Sequence, residues 1–296
     1  MSDGAGGISG IARALAVLSA FHSRDRELSA AELARRVGFP RSTVYRLVGE
    51  LSELGALEQT PDGHYRLGTK VLELGHQAQY QRGLRELASP FLADLAMTTR
   101  QTTHLAVLDH HDVVFLDRIR PTSVPQRWTR PGGRLPASVT GAGKAILAFS
   151  PPELVEAIFA KGLPVLTPHT ITDEERLRHE LAKARQTGIA FSRQEHAVGT
   201  SCCGAPIFGD KRRVLGAVSV SGPTSTIRLD LIAVAVQAAA AGISRLYSQG
   251  LASDKRQGSG SGQAASPAGI VPQGAMPQIP SAQLETQSSA PVTPEA

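Results

Sequence analysis

Residues 33–47 read Leu33-Ala34-Arg35-Arg36-Val37-Gly38-Phe39-Pro40-Arg41-Ser42-Thr43-Val44-Tyr45-Arg46-Leu47. They hold the end of one helix, a tight turn and the start of another. Upstream, Ser29 and Glu32 stand at capping-box spacing, Leu33 and Val37 point inward, and Gly38 ends the helix. Gly38-Phe39-Pro40 makes the turn, and Arg41–Leu54 carries the next helical pattern. Two helices joined by so short a turn suit a helix-turn-helix, whose second helix enters the DNA major groove. At 100° per residue, Val44, Leu47, Val48, Leu51 and Leu54 fall on one side of it, and Ser42, Tyr45, Arg46 and Gly49 on the other. The first acid on the outer side is expected at Glu53. Arg41 and Thr43 flank that side at the end nearest the turn, where bases are approached.

Outward from this core, Ile11, Leu15 and Leu18 predict an earlier helix that buries one face. Downstream, Ala56–Gln59 and His64–Leu67 flank Thr60-Pro61-Asp62-Gly63, and Asp-Gly between short alternating runs is a hairpin signal. Directly after a recognition helix such a hairpin is a wing, with His64 and Arg66 within reach of the DNA backbone. Charge argues for a local contact patch: eight arginines meet eight acidic residues within the first 68 residues. The expected DNA contacts are Arg36, Arg41, Ser42, Thr43, Tyr45, Arg46, His64 and Arg66.

Residues 70–99 read as helical again, with a break at Pro90. After Thr102 the period changes. His104–Leu108 and Val113–Ile119 read as paired strands, as do Cys202–Phe208 and Val214–Ser221. Gly141–Phe149 and Asp173–Gln186 read as helices, the second opened by Thr172 and Glu175 as a capping box and stopped by Gly188. An Ala-rich apolar helix spans about 229–247. Strands and helices that do not alternate strictly indicate an α+β fold.

Taken whole, 296 residues suit two domains. The chain's net charge of +5 permits nucleic-acid binding without requiring it. No signal peptide and no uninterrupted apolar run of membrane length are seen, so a cytoplasmic, nucleoid-associated protein without membrane contact is expected. The adjacent Cys202 and Cys203 do not suit a disulfide framework, and the nine histidines lack ligand spacing, so neither metal nor cofactor is expected. An enzyme is not expected either. A phosphate-binding loop around Gly141-Ala142-Gly143-Lys144 would need Gly at 138 and Ser or Thr at 145, where Ser138 and Ala145 stand. Cys202 as nucleophile with His196 or His104 as base has no supporting spacing. A non-specific architectural DNA protein would show a basic face all round, which the balanced charge of the first 68 residues opposes.

The run 33–47, with Leu54-Gly55, Tyr65-Arg66-Leu67-Gly68, Leu105-Ala106-Val107-Leu108-Asp109, Leu116-Asp117-Arg118, Gly133-Arg134-Leu135-Pro136, Gly143-Lys144-Ala145 and Ser219-Val220-Ser221-Gly222-Pro223, resembles the IclR family of bacterial transcriptional regulators. The resemblance covers about residues 9–248. It implies a winged helix-turn-helix followed by a GAF-like effector-binding domain, an antiparallel sheet flanked by helices. It also implies homodimers or homotetramers on palindromic double-stranded operators, and a small-molecule effector, an organic acid or aromatic metabolite. Carried over, the effector site takes Gly141 and Ala142 at a helix start, Cys202, Ser219 and Ser221. Ser192 stands where the family often has an acid. The expected organisation is a disordered start over 1–8, the DNA-binding domain over 9–68, a linker helix over 69–83, the effector domain over 84–249 and a disordered tail over 250–296.

Overall fold

A computed structural model describes residues 8–22, 25–77, 79–121 and 129–257, in two compact units that part after residue 78. Both expected terminal disordered segments fall largely outside the described residues.

The first unit opens with α1 (Gly10–Ser19), capped by Ser9, whose hydroxyl accepts the Ala12 N–H. Then come α2 (Ala30–Val37) and α3 (Arg41–Glu53). The hairpin β1 (Leu57–Gln59) and β2 (Tyr65–Leu67) closes the unit, with α4 (Thr69–His76) behind it. Ser29 caps α2 by accepting the Glu32 N–H. Gly38 ends α2 at φ +71, a left-handed conformation that glycine adopts without steric cost. Leu28 exchanges both backbone hydrogen bonds with Tyr65, a single antiparallel bridge that ties the segment before α2 to the wing. The core gathers Val17, Leu33, Val44, Leu47, Val48, Leu51 and Leu57.

Two expected faces need correction. Ile11 and Leu15 are 77% and 49% exposed, and Val17 is the residue of α1 that is buried. Leu54 is 71% exposed, because α3 has already ended and Leu54 is its C-cap. Helical period finds an apolar stripe but not which part of it has a neighbour.

The second unit is built on a six-stranded antiparallel sheet. Its strands are β3 (Thr102–Asp109), β4 (Asp112–Ile119), β5 (Arg134–Pro136), β6 (Ala190–Arg193), β7 (Thr200–Phe208) and β8 (Val214–Pro223), in spatial order β5-β4-β3-β8-β7-β6. Residues alternate between its two faces. Leu105, Val107, Cys203, Ala205, Ile207, Val218 and Val220 meet α5 (Gln79–Thr99) and α9 (Leu229–Gln257) on one side. Ala106, Phe115 and Ala217 meet α6 (Gly141–Leu147), α7 (Pro152–Lys161) and α8 (Glu174–Thr187) on the other.

Pro90 lies within α5 and does not break it. Its ring sits on the exposed side while Leu84, Ala88, Leu92 and Leu95 are buried, and Thr103 Oγ1 donates to Leu92 O at 3.0 Å. An interior proline costs about 3 kcal/mol, which four buried side chains offset. The helical stretch beyond residue 69 divides between His76 and Gln79 instead, so residues 69–83 span the whole of α4 and the start of α5. The cap of α8 is Asp173, which accepts the Arg176 N–H at 2.7 Å, and not Thr172. Over 229–249, α9 is long and apolar enough to cross a membrane by length and composition. Its apolarity serves the core, where Leu229, Ala233, Val236, Ala239, Ala240 and Ile243 are buried.

Candidate functional sites

On α3 the inward residues Val44, Leu47, Val48 and Leu51 lock the helix, while Arg41, Ser42, Tyr45, Arg46 and Gly49 stand exposed and Thr43 is half-buried. The exposed side therefore carries hydroxyls and guanidiniums, the donors that read base edges and phosphates. An acid appears there earlier than expected. Glu50, one turn after Arg46, holds its guanidinium at 2.5 Å. On the wing, Glu58 binds Arg66 through two bonds, of 2.7 and 3.0 Å. That pairing lowers the carboxyl's pKa and raises the arginine's. Both cations are thus neutralised by exposed acids, and exposed pairs are worth little, so phosphate can displace either acid at small cost. His64 is half-buried beside the turn, where its N–H donates to Thr60 Oγ1.

Arg36 departs from this pattern. Its guanidinium donates to Asp25 at 2.5 Å, to Glu32 at 2.9 Å and to the Ala20 carbonyl at 2.9 Å. The side chain is mostly buried, and it fastens α2 to the loop after α1. Arg35 and Arg36 together hold the Glu32 carboxyl down to about 2. Arg36 is an internal clamp, a role that sequence alone gave no means to separate from a surface arginine.

In the second unit the five residues expected at an effector converge. Cys202 pairs with Ser221 across β7 and β8, and Gly204 pairs with Ser219, so these side chains share one sheet face. The start of α6 rests on that face backbone to backbone. A Cβ on Gly204 would stand 2.7 Å from Ala142 N and from Gly141 C, which only glycine permits. Gly141 N–H donates to Cys202 Sγ at 3.2 Å, and Gly143 N–H to Thr140 Oγ1 at 2.9 Å. Ser192, paired with Cys202, donates to the Val139 carbonyl at 2.8 Å and so ties β6 to the segment before α6.

Four side chains on or beside this face of the sheet carried no expected binding role. Lys144 is 1% exposed and lies 2.7 Å from Glu195, itself buried in the turn after β6. Burial pushes the Glu195 carboxyl up, against the pull of Lys144. His104, paired with Ser219, is wholly buried, and burial with the nearby Arg118 lowers it to about 3. Its Nε2 lies 2.6 Å from Thr129 Oγ1, and its ring tilts against Phe115 at 5.1 Å. His196 is lowered by burial to about 4. Both imidazoles are neutral at ordinary pH. The only sequence sign of them was their place beside apolar strand patterns.

A nucleophilic role for either cysteine finds no support here. Burial raises the Cys202 thiol, and Cys203, on the opposite face, is raised to about 12, whereas a nucleophilic cysteine needs a lowered value. Among the described residues no group of three or more His, Cys, Asp or Glu side chains is placed to hold a metal ion.

Comparison with known proteins gives matches over both units. The IclR helix-turn-helix domain matches residues 10–61, and the bacterial transcriptional regulator IclR C-terminal domain matches residues 76–245. The chain is 31% identical to the transcriptional repressor IclR of Escherichia coli K12 over 231 residues, covering 77% of this chain and 84% of that protein. It is 32% identical to the regulator XynR of the same organism over 222 residues, 74% and 88% of the two chains. Among solved structures, an IclR homolog from Microbacterium hydrocarbonoxydans complexed with 4-hydroxybenzoate superposes with a TM-score of 0.74 at 32% identity, covering 80% of this chain and 98% of that one. The Thermotoga maritima IclR gives a TM-score of 0.65 at 29% identity, covering 80% and 98%.

Proposed function

The chain belongs to the IclR family of bacterial transcriptional regulators, and from that premise we propose how it reads DNA and what it senses. Two copies of α3 enter successive major grooves of a palindromic operator, at half-sites one helical turn or a multiple of it apart, within a homodimer or homotetramer. Arg41, Ser42, Thr43, Tyr45 and Arg46 meet the bases and nearby phosphates, and His64 and Arg66 the backbone beside the wing. The supporting observation is the division of α3 into a locked apolar face and an exposed face of donors. The protein works in the cytoplasm, at the nucleoid, and catalyses no reaction.

The effector is an organic acid or an aromatic metabolite, held by Gly141, Ala142, Cys202, Ser219 and Ser221. Support comes from the convergence of these residues on one buried sheet face and from the relative solved with 4-hydroxybenzoate. Effector binding changes operator affinity only through unequal affinity for two arrangements of the reading heads, with couplings of about 1–3 kcal/mol. The domains divide as 9–68 for DNA and 84–249 for the effector, with 69–83 between them.

Selection of bound fragments from genomic DNA at near-physiological salt, followed by footprinting, tests this reading. The expected result is a discrete site with two-fold symmetry, from which a subset of organic acids releases the protein. Weak binding with a steep salt dependence and no preferred site contradicts it.

A further inference from the structure

We propose that the outer side of α9 is a contact between two copies of this chain, in which the helix packs antiparallel against its counterpart. The inference rests on the self-association proposed above and names a surface for it.

Burial in the core accounts for only one side of α9. Ala233, Val236, Ala240 and Ile243 are buried there, yet the most apolar stretch of the helix is only 39% buried. On the other side Leu231 and Val234 are 71% and 70% exposed, and Ala238 and Ala241 are exposed with them. Steps of three, four and three residues separate these positions, the spacing of a and d in a coiled-coil seam. One exposed leucine needs no explanation. Here the four lie in line, with no charge between Asp230 and Arg245, and make a strip about 15 Å long.

Size chooses the direction of packing. With the two-fold axis level with Val236, an antiparallel pair sets Leu231 opposite the partner's Ala241 and Val234 opposite the partner's Ala238. Each layer then matches a large side chain with a small one, and the axes can approach to about 8 Å. A parallel pair in register stacks Leu231 on Leu231 and Ala238 on Ala238, one layer too wide and another too narrow.

Charge agrees with size. Asp230 edges one end of the seam and Arg245 continues it at the other; both are exposed, and neither is in an ion pair among the described residues. In the antiparallel pair Asp230 stands about three residues, or 4.5 Å, along the axis from the partner's Arg245, within an arginine's reach. The two-fold repeats that contact at the far end. Parallel packing instead puts acid beside acid and arginine beside arginine. Arg228 precedes the helix and lies on the other edge of the seam.

A lipid surface is the rival occupant for so apolar a helix. Helices that lie on membranes set large apolar side chains against a polar face rich in Lys and Arg. This strip tapers from Leu to Ala, and its opposite side is occupied by the core.

Sedimentation equilibrium of the full chain without DNA, over a wide range of concentration, tests this. The parent is expected to associate reversibly. Val234→Glu, shown folded by its melting curve, should weaken one association step by about tenfold or more, because each copy then buries a charge in the seam. Asp230→Arg should weaken the same step about threefold, and Asp230→Arg/Arg245→Asp should recover most of that loss. Association of Val234→Glu equal to the parent's overturns the inference and leaves self-association to another surface. A parent that stays monomeric throughout overturns both. A double variant no better than Asp230→Arg overturns the antiparallel packing, and the inference with it. Flotation of the parent with phosphatidylglycerol vesicles, lost in a Val234→Glu variant that still associates, gives the strip to lipid instead.

Discussion

In the N-terminal unit most of the groups assigned to binding stand in water, and two of the cations, Arg46 and Arg66, are lightly held by acids of the same surface. In the C-terminal unit they are buried, and the ionisable groups among them are either paired, as Lys144 with Glu195, or kept neutral, as His104 and His196. DNA brings its own charge, and an exposed pair such as Arg46–Glu50 is exchanged for phosphate at little cost. A small effector enters a place where every unmatched polar atom is expensive, so the surroundings must be set in advance. The contrast predicts that substitutions of the exposed binding groups in the first unit change binding more than stability, and that those in the second change both.

The largest effect is expected at the buried pair. Lys144→Met leaves Glu195 without its counter-charge and should destabilise the C-terminal unit by about 3–5 kcal/mol, read by denaturant unfolding, with Lys144→Met/Glu195→Leu recovering most of the loss. An unchanged midpoint for the single variant would break the comparison.

Acid should separate the units next. The folded pKa of His104 lies at about 3, below the ordinary 6.5, so the unfolded chain takes up its proton first. Its contribution is full above pH 6.5 and is lost progressively as pH falls toward 3. By pH 5 that loss is on the order of 2 kcal/mol, and His196 adds to it in the same direction between 6.5 and 4. Glu32 is depressed from 4.5 to about 2, so its contribution is present above pH 4.5 and fades only toward pH 2. Melting followed by probes in each unit should show the C-terminal one weakening first, and His104→Asn should flatten its slope.

Within the first unit, Arg36→Ala should cost about 2 kcal/mol of stability, because charged hydrogen bonds to Asp25, Glu32 and Ala20 O go together. Arg41→Ala should stay within about 0.5 kcal/mol of the parent in the same melt. The smallest effect is expected at Glu50→Gln. Freeing Arg46 should raise operator affinity no more than a few-fold, worth under about 1 kcal/mol, visible in anisotropy titrations at low salt.

Much of the fold was legible. Ser29 and Gly38 bounded α2, Asp62-Gly63 turned the wing, and the strand pairs around 109–112 and 209–213 stood out by alternation and turn residues. What was not legible depends on neighbours distant in sequence. Nothing local distinguishes the clamped Arg36 from the exposed Arg41, or shows that Leu84, Ala88, Leu92 and Leu95 carry α5 through Pro90. Thr172 and Asp173 are both good caps, and only the path of the chain selects the second. At the candidate effector site the resemblance indicated Cys202, Ser219 and Ser221. Lys144, Glu195 and His104 acquire their meaning from strand register and helix docking, which composition and period do not reveal.

The most direct test of the account is an anisotropy titration of the footprinted operator with the parent and Arg46→Ala, alongside melting curves of both. The account predicts that the variant loses about 1–3 kcal/mol of operator binding, roughly five- to 150-fold, with its melting temperature unchanged. Equal operator binding by the two proteins would contradict the reading of α3 as the recognition helix.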